Sequence, residues 1–189
     1  MSARRQDATT SDMHDIRDAL NRAVKTVTLR PERGQRVYRN VAFVGQGTQC
    51  EIDEAGRHLT IDVGKALGGK DEGPNPSMIL RSAISSCVAI GIKQWAARLG
   101  VDVEFVEVVL ETAIDARGQL GVCDETTPGF ESMSMSMSIT SSADHKTIEE
   151  IVETALRYSP LMEVILEQQQ IERQVTVLCT EESDGQKDG

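Results

Sequence analysis

Aromatic residues are scarce in this chain of 189 residues, with Trp 1, Tyr 2 and Phe 3, and no cluster of Lys or Arg interleaves with them. Basic side chains number 20 against 30 acidic, a net charge of −10. The sequence therefore carries no electrostatic footprint for nucleic acid or for an anionic membrane surface. Cysteine and histidine are few and scattered: Cys50, Cys87, Cys123 and Cys179 form no CxxC pair, and His14, His58 and His145 stand apart. That spacing argues against zinc and calls for no cofactor. A long apolar run is lacking too, because Arg81 and Lys93 interrupt the most hydrophobic stretch well short of the roughly 18 residues of a membrane span. The start, MSARRQDATTSDMHD, has no apolar segment behind its two arginines, so a cytoplasmic location is expected, with the cysteines as reduced thiols.

The length suits one substantial domain with its own core. The stretch PNPSMILRSAISSCVAIGIKQWAARL, residues 74–99, is where that core is expected. Asn75 suits an N-cap, Pro76 the first helical position and Gly100 the stop, giving a helix of about six to seven turns. Leu80, Ile84, Cys87 and Gly91 share one row of it, and Ile79, Ala83, Val88, Ala89, Ile90 and Ile92 fill the others. Such a helix is expected to be covered on nearly every side, reaching water only towards Arg98. Its small residues, among them Ser82, Ala83, Ser86 and Gly91, let another backbone come close.

Residues 1–35 read as a disordered start followed by an amphipathic helix over 11–27, with Ile16, Leu20, Ala23 and Val24 at helical spacing. RVYRNVAFVG, TQCEID and HLTIDVG, separated by Gly45-Gln46-Gly47 and Glu54-Ala55-Gly56, predict an antiparallel meander of three strands. LGGKDEG, residues 67–73, reads as a flexible approach to the central helix. Beyond the helix, residues 101–114 predict a long strand whose apolar phase changes near Phe105, the mark of a bulge. ESMSMSMSI, residues 131–139, alternates strictly, with Met133, Met135, Met137 and Ile139 on one face. No thiolate or histidine accompanies these methionines, so they read as pliable core packing. A helix over 142–158, a short turn of helix over 161–166 and a last strand over 171–179 complete a domain spanning 36–179. Residues 180–189 form a polar, acidic tail expected to be disordered. The class is α+β, with helices on one face of a mostly antiparallel sheet.

Chemistry concentrates on Cys87. Burial alone makes a cysteine inert, and Arg81 and Lys93 are each six residues away on other faces, so a reactive thiol needs a cation or donor from another segment. The run GPNPSMILRSAISSCVAIGIKQWAARLGV is followed by a strand, a loop ending Pro128-Gly129-Phe130, a second strand and a helix closing in Tyr158-Ser159-Pro160-Leu161. Together these resemble the osmotically inducible protein C and organic hydroperoxide resistance family (OsmC/Ohr), over roughly residues 36–178. The resemblance implies an intertwined homodimer with antiparallel sheets wrapped around long central helices. It also implies a thiol peroxidase of oxidative-stress defence, in which the helix cysteine attacks a small organic hydroperoxide and a second cysteine resolves the sulfenic acid, with an external dithiol as reductant. A glutamate just after the NP start and an arginine from the N-terminal strands would support the first thiolate.

Position by position, Cys87 matches the peroxidatic cysteine, Ser77 stands where the glutamate would be, and Ser159 stands where the resolving cysteine would precede proline. Thr48, Gln49 and Cys50 occupy the stretch expected to supply the arginine. Cys50 is accordingly a candidate replacement for the resolving thiol. The alternative expectation is a non-catalytic dimer of the same fold that keeps an apolar pocket for a small hydrophobic ligand.

Overall fold

The computed structural model describes residues 10–177; the expected disordered start, Cys179 and the acidic tail lie outside the described residues. Helix α2 (Pro76–Leu99) forms where the local signals place it. Asn75 Oδ1 accepts the backbone N–H of Met78 at 2.8 Å, and Gly100 closes the other end at φ +73°, a conformation in which a side chain would be strained. After that turn β4 (Val103–Ala113) pairs antiparallel with β5 (Ser132–Ser141), and the register slips between Val103 and Phe105, where the apolar phase changes. Met135, Met137 and Ile139 pack against the core while the alternating serines 134, 136 and 138 are exposed. The short helix α3 (Ala116–Gln119) interrupts the connection between these strands.

Helix α4 (His145–Arg157) starts at Asp144, whose carboxylate accepts the N–H of Thr147. It packs on α2 at Gly91, where an added Cβ would stand 3.6 Å from the Cβ of Ala155. Small residues at the crossing let the two helices approach closely. The core is a single cluster of Val88, Ile92 and Ala96 from α2, Val103 from β4, and Ile151 and Ala155 from α4. Each large aliphatic side chain in it contributes about 1.5–3 kcal/mol of burial free energy. Helix α1 (Thr10–Leu29) lays Met13 against this cluster, and α5 (Pro160–Leu166) adds Met162 from the other end.

Strands β1 (Val41–Val44), β2 (Cys50–Glu54) and β3 (Arg57–Ile61) form the expected meander, in the order β1-β2-β3. Ala55 and Gly56, at φ 51° and 75°, make the two-residue turn that matches the right-handed twist of a hairpin.

Three expectations give way. The strands form two separate antiparallel sheets rather than one, because α2 intervenes between β3 and β4 and carries the chain away from the first sheet. Residues 171–177 form no strand: Ile171, Val175 and Val177 are 81%, 84% and 78% exposed, and this backbone meets no pairing edge among the described residues. Nor is α2 covered all round. Met78, Leu80 and Ile90 remain about half exposed, because α1, β4, α4 and α5 of one chain leave one side of the helix open.

Candidate functional site

Cys87 lies on the α2 row that runs through Gly91 to Trp95, the side against which α4 and α5 pack. Its sulfur is half-buried and stands 3.3 Å from Ser159 Oγ. Ser159 is nearly sealed from solvent, at 4% exposure. It is placed there by a local rule: it is the N-cap of α5, its Oγ accepting the N–H of Met162 at 3.3 Å, with Pro160 at the first helical position. Because Oγ accepts from the backbone, its own O–H is free to donate to the Cys87 sulfur. The structure therefore brings together two of the four residues singled out from sequence, Cys87 and Ser159.

Ser77 does not join them within one chain. It sits at the second position of α2, ten residues before Cys87, a separation of about 15 Å along the axis. Cys50 is a free, half-buried thiol that opens β2 in the separate three-stranded sheet, and no bond joins it to Cys87 among the described residues. Cys123 is free as well, donating to Glu125 Oε2 at 3.3 Å and accepting from Thr126 Oγ1 at 3.0 Å. The two cations of α2 nearest Cys87 in sequence are turned elsewhere. Arg81 donates to Thr112 Oγ1 on β4 at 3.4 Å, and Lys93 donates to the carbonyl of Val103.

An apolar cavity of about 210 Å³ lies between α2, β4, β5 and α5, lined by Ile84, Leu110, Met133, Met135, Met162 and Ile165 among others, and Cys87 is not part of its wall. Ile84 is one turn before Cys87 on α2, and Met162 is the residue whose N–H caps onto Ser159. Thioether and branched aliphatic walls suit a flexible apolar guest. A smaller cleft of about 140 Å³ lies between Met13, His14 and Arg17 of α1 and the residues 97–102 beyond the far end of α2, away from the thiol.

Sequence reasoning missed the buried carboxylate that positions the entrance of α2. Asp62, directly after β3, is 2% exposed. It accepts hydrogen bonds from Thr48 Oγ1 at 2.8 Å and from the N–H groups of Val63, Lys70 and Glu72 at 2.8, 2.9 and 3.4 Å. These donors hold its carboxyl well below the usual range, at about 2, the Thr48 hydroxyl contributing most. The segment read as flexible is thus pinned. A Cβ on Gly69 would lie 1.8 Å from the Val63 carbonyl oxygen, and one on Gly73 2.5 Å from that of Thr60. Glycines needed for close approach and glycines of a loose linker look alike in a sequence; the signal available was the acid six residues before Gly68, with a threonine in the turn between β1 and β2.

Comparison with known proteins places the fold in a class. The family model described as OsmC-like protein matches residues 69–174, and the chain belongs to that family. Among solved structures, it is similar to the OsmC like protein from Mycoplasma pneumoniae at 13% identity and a TM-score of 0.59, covering 70% of this chain and 89% of that one. An organic hydroperoxide resistance protein from Elizabethkingia anophelis matches at 15% identity and a TM-score of 0.52, over 68% of this chain and 87% of that one. The organic hydroperoxide resistance protein OsmC from Legionella pneumophila matches at 17% identity and a TM-score of 0.50, over 69% and 89%. At these identities the likeness is one of fold, and it bears out the α+β, OsmC-like architecture. No curated protein matches the sequence.

Proposed function

We propose that this protein is a cytoplasmic, thiol-dependent reductase of small organic hydroperoxides that works through Cys87, as a homodimer. The observation that carries the reading is the pairing of the Cys87 sulfur with Ser159 Oγ at 3.3 Å, one helical turn along α2 from Ile84 in the wall of an apolar, methionine-lined cavity. A hydroperoxide whose carbon chain enters that cavity presents its distal oxygen to the sulfur. Attack breaks the O–O bond, leaves the alcohol and converts Cys87 to a sulfenic acid. Family membership and the names of the Elizabethkingia and Legionella neighbours support the reaction class.

The dimer is supported by what one chain leaves bare. Among the described residues the β1–β3 sheet packs extensively on no other element, and Phe43 and Val44 are 58% and 59% exposed on it. One side of α2 and the apolar residues of 171–177 are equally open. A second copy would cover these surfaces.

The serines at positions 77 and 159 favour a second reading, in which the cavity holds a hydrophobic ligand and no turnover occurs. Consumption of cumene hydroperoxide in the presence of a dithiol separates the two. The wild type is expected to turn over and Cys87→Ala to be inactive. Loss in Cys50→Ala as well would assign Cys50 as the resolving thiol, whereas equal inactivity of wild type and Cys87→Ala, with Cys87 never oxidised, would leave only the ligand-binding reading.

A further inference from the structure

Resolution of an oxidised Cys87 requires a second thiol, and the position facing its sulfur is a serine hydroxyl. A hydroxyl cannot form a disulfide, so the electrons must come from elsewhere. The surface next to this pair has a distinct chemistry. On α2, two turns beyond Cys87, Trp95 stacks on Tyr158 with ring centroids 5.2 Å apart. The Arg98 guanidinium lies 4.7 Å over the Trp95 ring, and that of Arg157 lies 5.5 Å from the Tyr158 centroid. Both arginines and Tyr158 are exposed, and neither arginine has an ion-pair partner among the described residues.

In a chain of net charge −10, two unpaired guanidiniums held by aromatic faces mark a place that receives an anion. Stacking fixes each cation while leaving its N–H edge free for a carboxylate. Arg157 is two residues before Ser159, and Trp95 is about 12 Å of helix from Cys87. An extended tripeptide spans about 10 Å.

We propose, resting on the peroxide chemistry argued above, that the sulfenic acid of Cys87 is resolved by an external peptide monothiol carrying free carboxylates, of the glutathione class, guided by Arg98 and Arg157. The incoming thiolate attacks the Cys87 sulfur, a disulfide to the small thiol forms, and the sulfenic oxygen leaves as water after taking up a proton. A second molecule of the thiol then attacks that mixed disulfide, releasing the symmetric small-molecule disulfide and returning Cys87 as a thiol. Ser159 orients the sulfur and takes no part in the electron transfer.

The test follows Cys87 by mass spectrometry after one equivalent of cumene hydroperoxide, first without thiol and then with reduced glutathione. Without thiol, Cys87 gains one oxygen that dimedone traps; with glutathione, it carries one glutathione per chain, removed by excess thiol and absent in Cys87→Ala. Arg98→Gln with Arg157→Gln slows adduct formation by glutathione about fivefold while leaving the rate with neutral 2-mercaptoethanol unchanged. Ser159→Cys replaces the adduct with an internal disulfide.

A parallel arm needs no peroxide: glutathione disulfide is expected to load Cys87 with the same dependence on the two arginines. Oxygen gain followed by a disulfide between Cys87 and Cys50, within or between chains, would overturn the external-thiol proposal and leave the peroxidase reading standing. Absence of oxygen gain would overturn the peroxidase reading and with it the resolution of a sulfenic acid, while arginine-dependent loading from glutathione disulfide would leave the guidance of the small thiol to Cys87 standing. An unchanged rate with glutathione in the double arginine variant, or an equal slowing with 2-mercaptoethanol, would remove the guidance role.

Discussion

The two halves of this molecule are held together by different physics. In the half built from α2, β4, β5 and α4, the aliphatic side chains of one chain fill one cluster, and Ile84, Val88, Ile92, Val103 and Ile151 are at most 1% exposed. In the β1–β3 half, Phe43, Val44 and Leu59 face solvent, and the most buried side chain is the carboxylate of Asp62, held by four hydrogen bonds. The first half closes its core within a single chain and leaves only one side of α2 open. The second is organised by polar contacts and leaves its apolar surface for something outside the chain. Cys87 belongs to the first half and Cys50 to the second, which is why one chain does not pair them.

The contrast is broken most severely inside the first half. Ile92→Ala removes a fully buried side chain from the centre of the cluster and is expected to cost about 2–5 kcal/mol, read as a lower urea midpoint with an unchanged slope. A loss as small as that of an exposed site would mean that α2 is not the organising element.

The second half should respond in assembly rather than in folding. Phe43→Asp places a charge on an exposed position of one chain, so the monomer's own core is untouched. In a dimer that covers the β1–β3 sheet, the charge is desolvated and association weakens by about 1–3 kcal/mol. Sedimentation would show dissociation at concentrations where the wild type stays paired, with the urea midpoint of the isolated monomer unmoved. Unchanged assembly would place the interface elsewhere.

Both halves were legible in the sequence to different depths. Period-2 and period-3.6 patterns located the meander, the methionine strand and the helices, and Asn75, Pro76 and Gly100 placed both ends of α2, because these signals are local and each carries its own geometry. What one chain does not cover was not legible: the apolar residues all round α2 predicted cover on nearly every side, whereas Met78, Leu80 and Ile90 remain about half exposed. The 171–177 segment fails for the same reason, since a strand pattern specifies a face and not a partner. At the site, Cys87 and Ser159 were singled out before the 3.3 Å contact between them was seen, whereas the Trp95–Tyr158 stack was missed because it joins residues far apart in sequence, and Asp62 because its donors are mostly backbone N–H groups that no side-chain pattern announces.

The polar character of the second half gives it a signature in acid. With the Asp62 carboxyl lowered from the ordinary 3.8 to about 2, its contribution to stability is fully present above pH 3.8 and is lost as the pH falls through about 2. Asp62→Asn removes that titration and turns one acceptor into a donor facing backbone N–H groups. The variant is expected to be less stable at neutral pH and to show a flatter stability profile between those two pH values, measured by urea melts across the range. A wild-type profile already flat there would show that the carboxylate is not held by these donors.

The smallest effect sharpens the comparison from the packed side. Gly91 lies in the interior of α2 facing Ala155, and a Cβ at that position would meet the Ala155 Cβ at 3.6 Å, an ordinary contact. Its backbone is helical, so no glycine-only conformation is at stake. Gly91→Ala should therefore gain helix propensity, about 1 kcal/mol, and reduce the freedom of the unfolded chain without displacing α4. The gain would appear as a Tm a few degrees higher with Cys87 reactivity retained. If the variant is instead destabilised, the α2–α4 crossing is closer than the 3.6 Å contact implies, and the glycine is there for the approach of helices rather than as a neutral small residue.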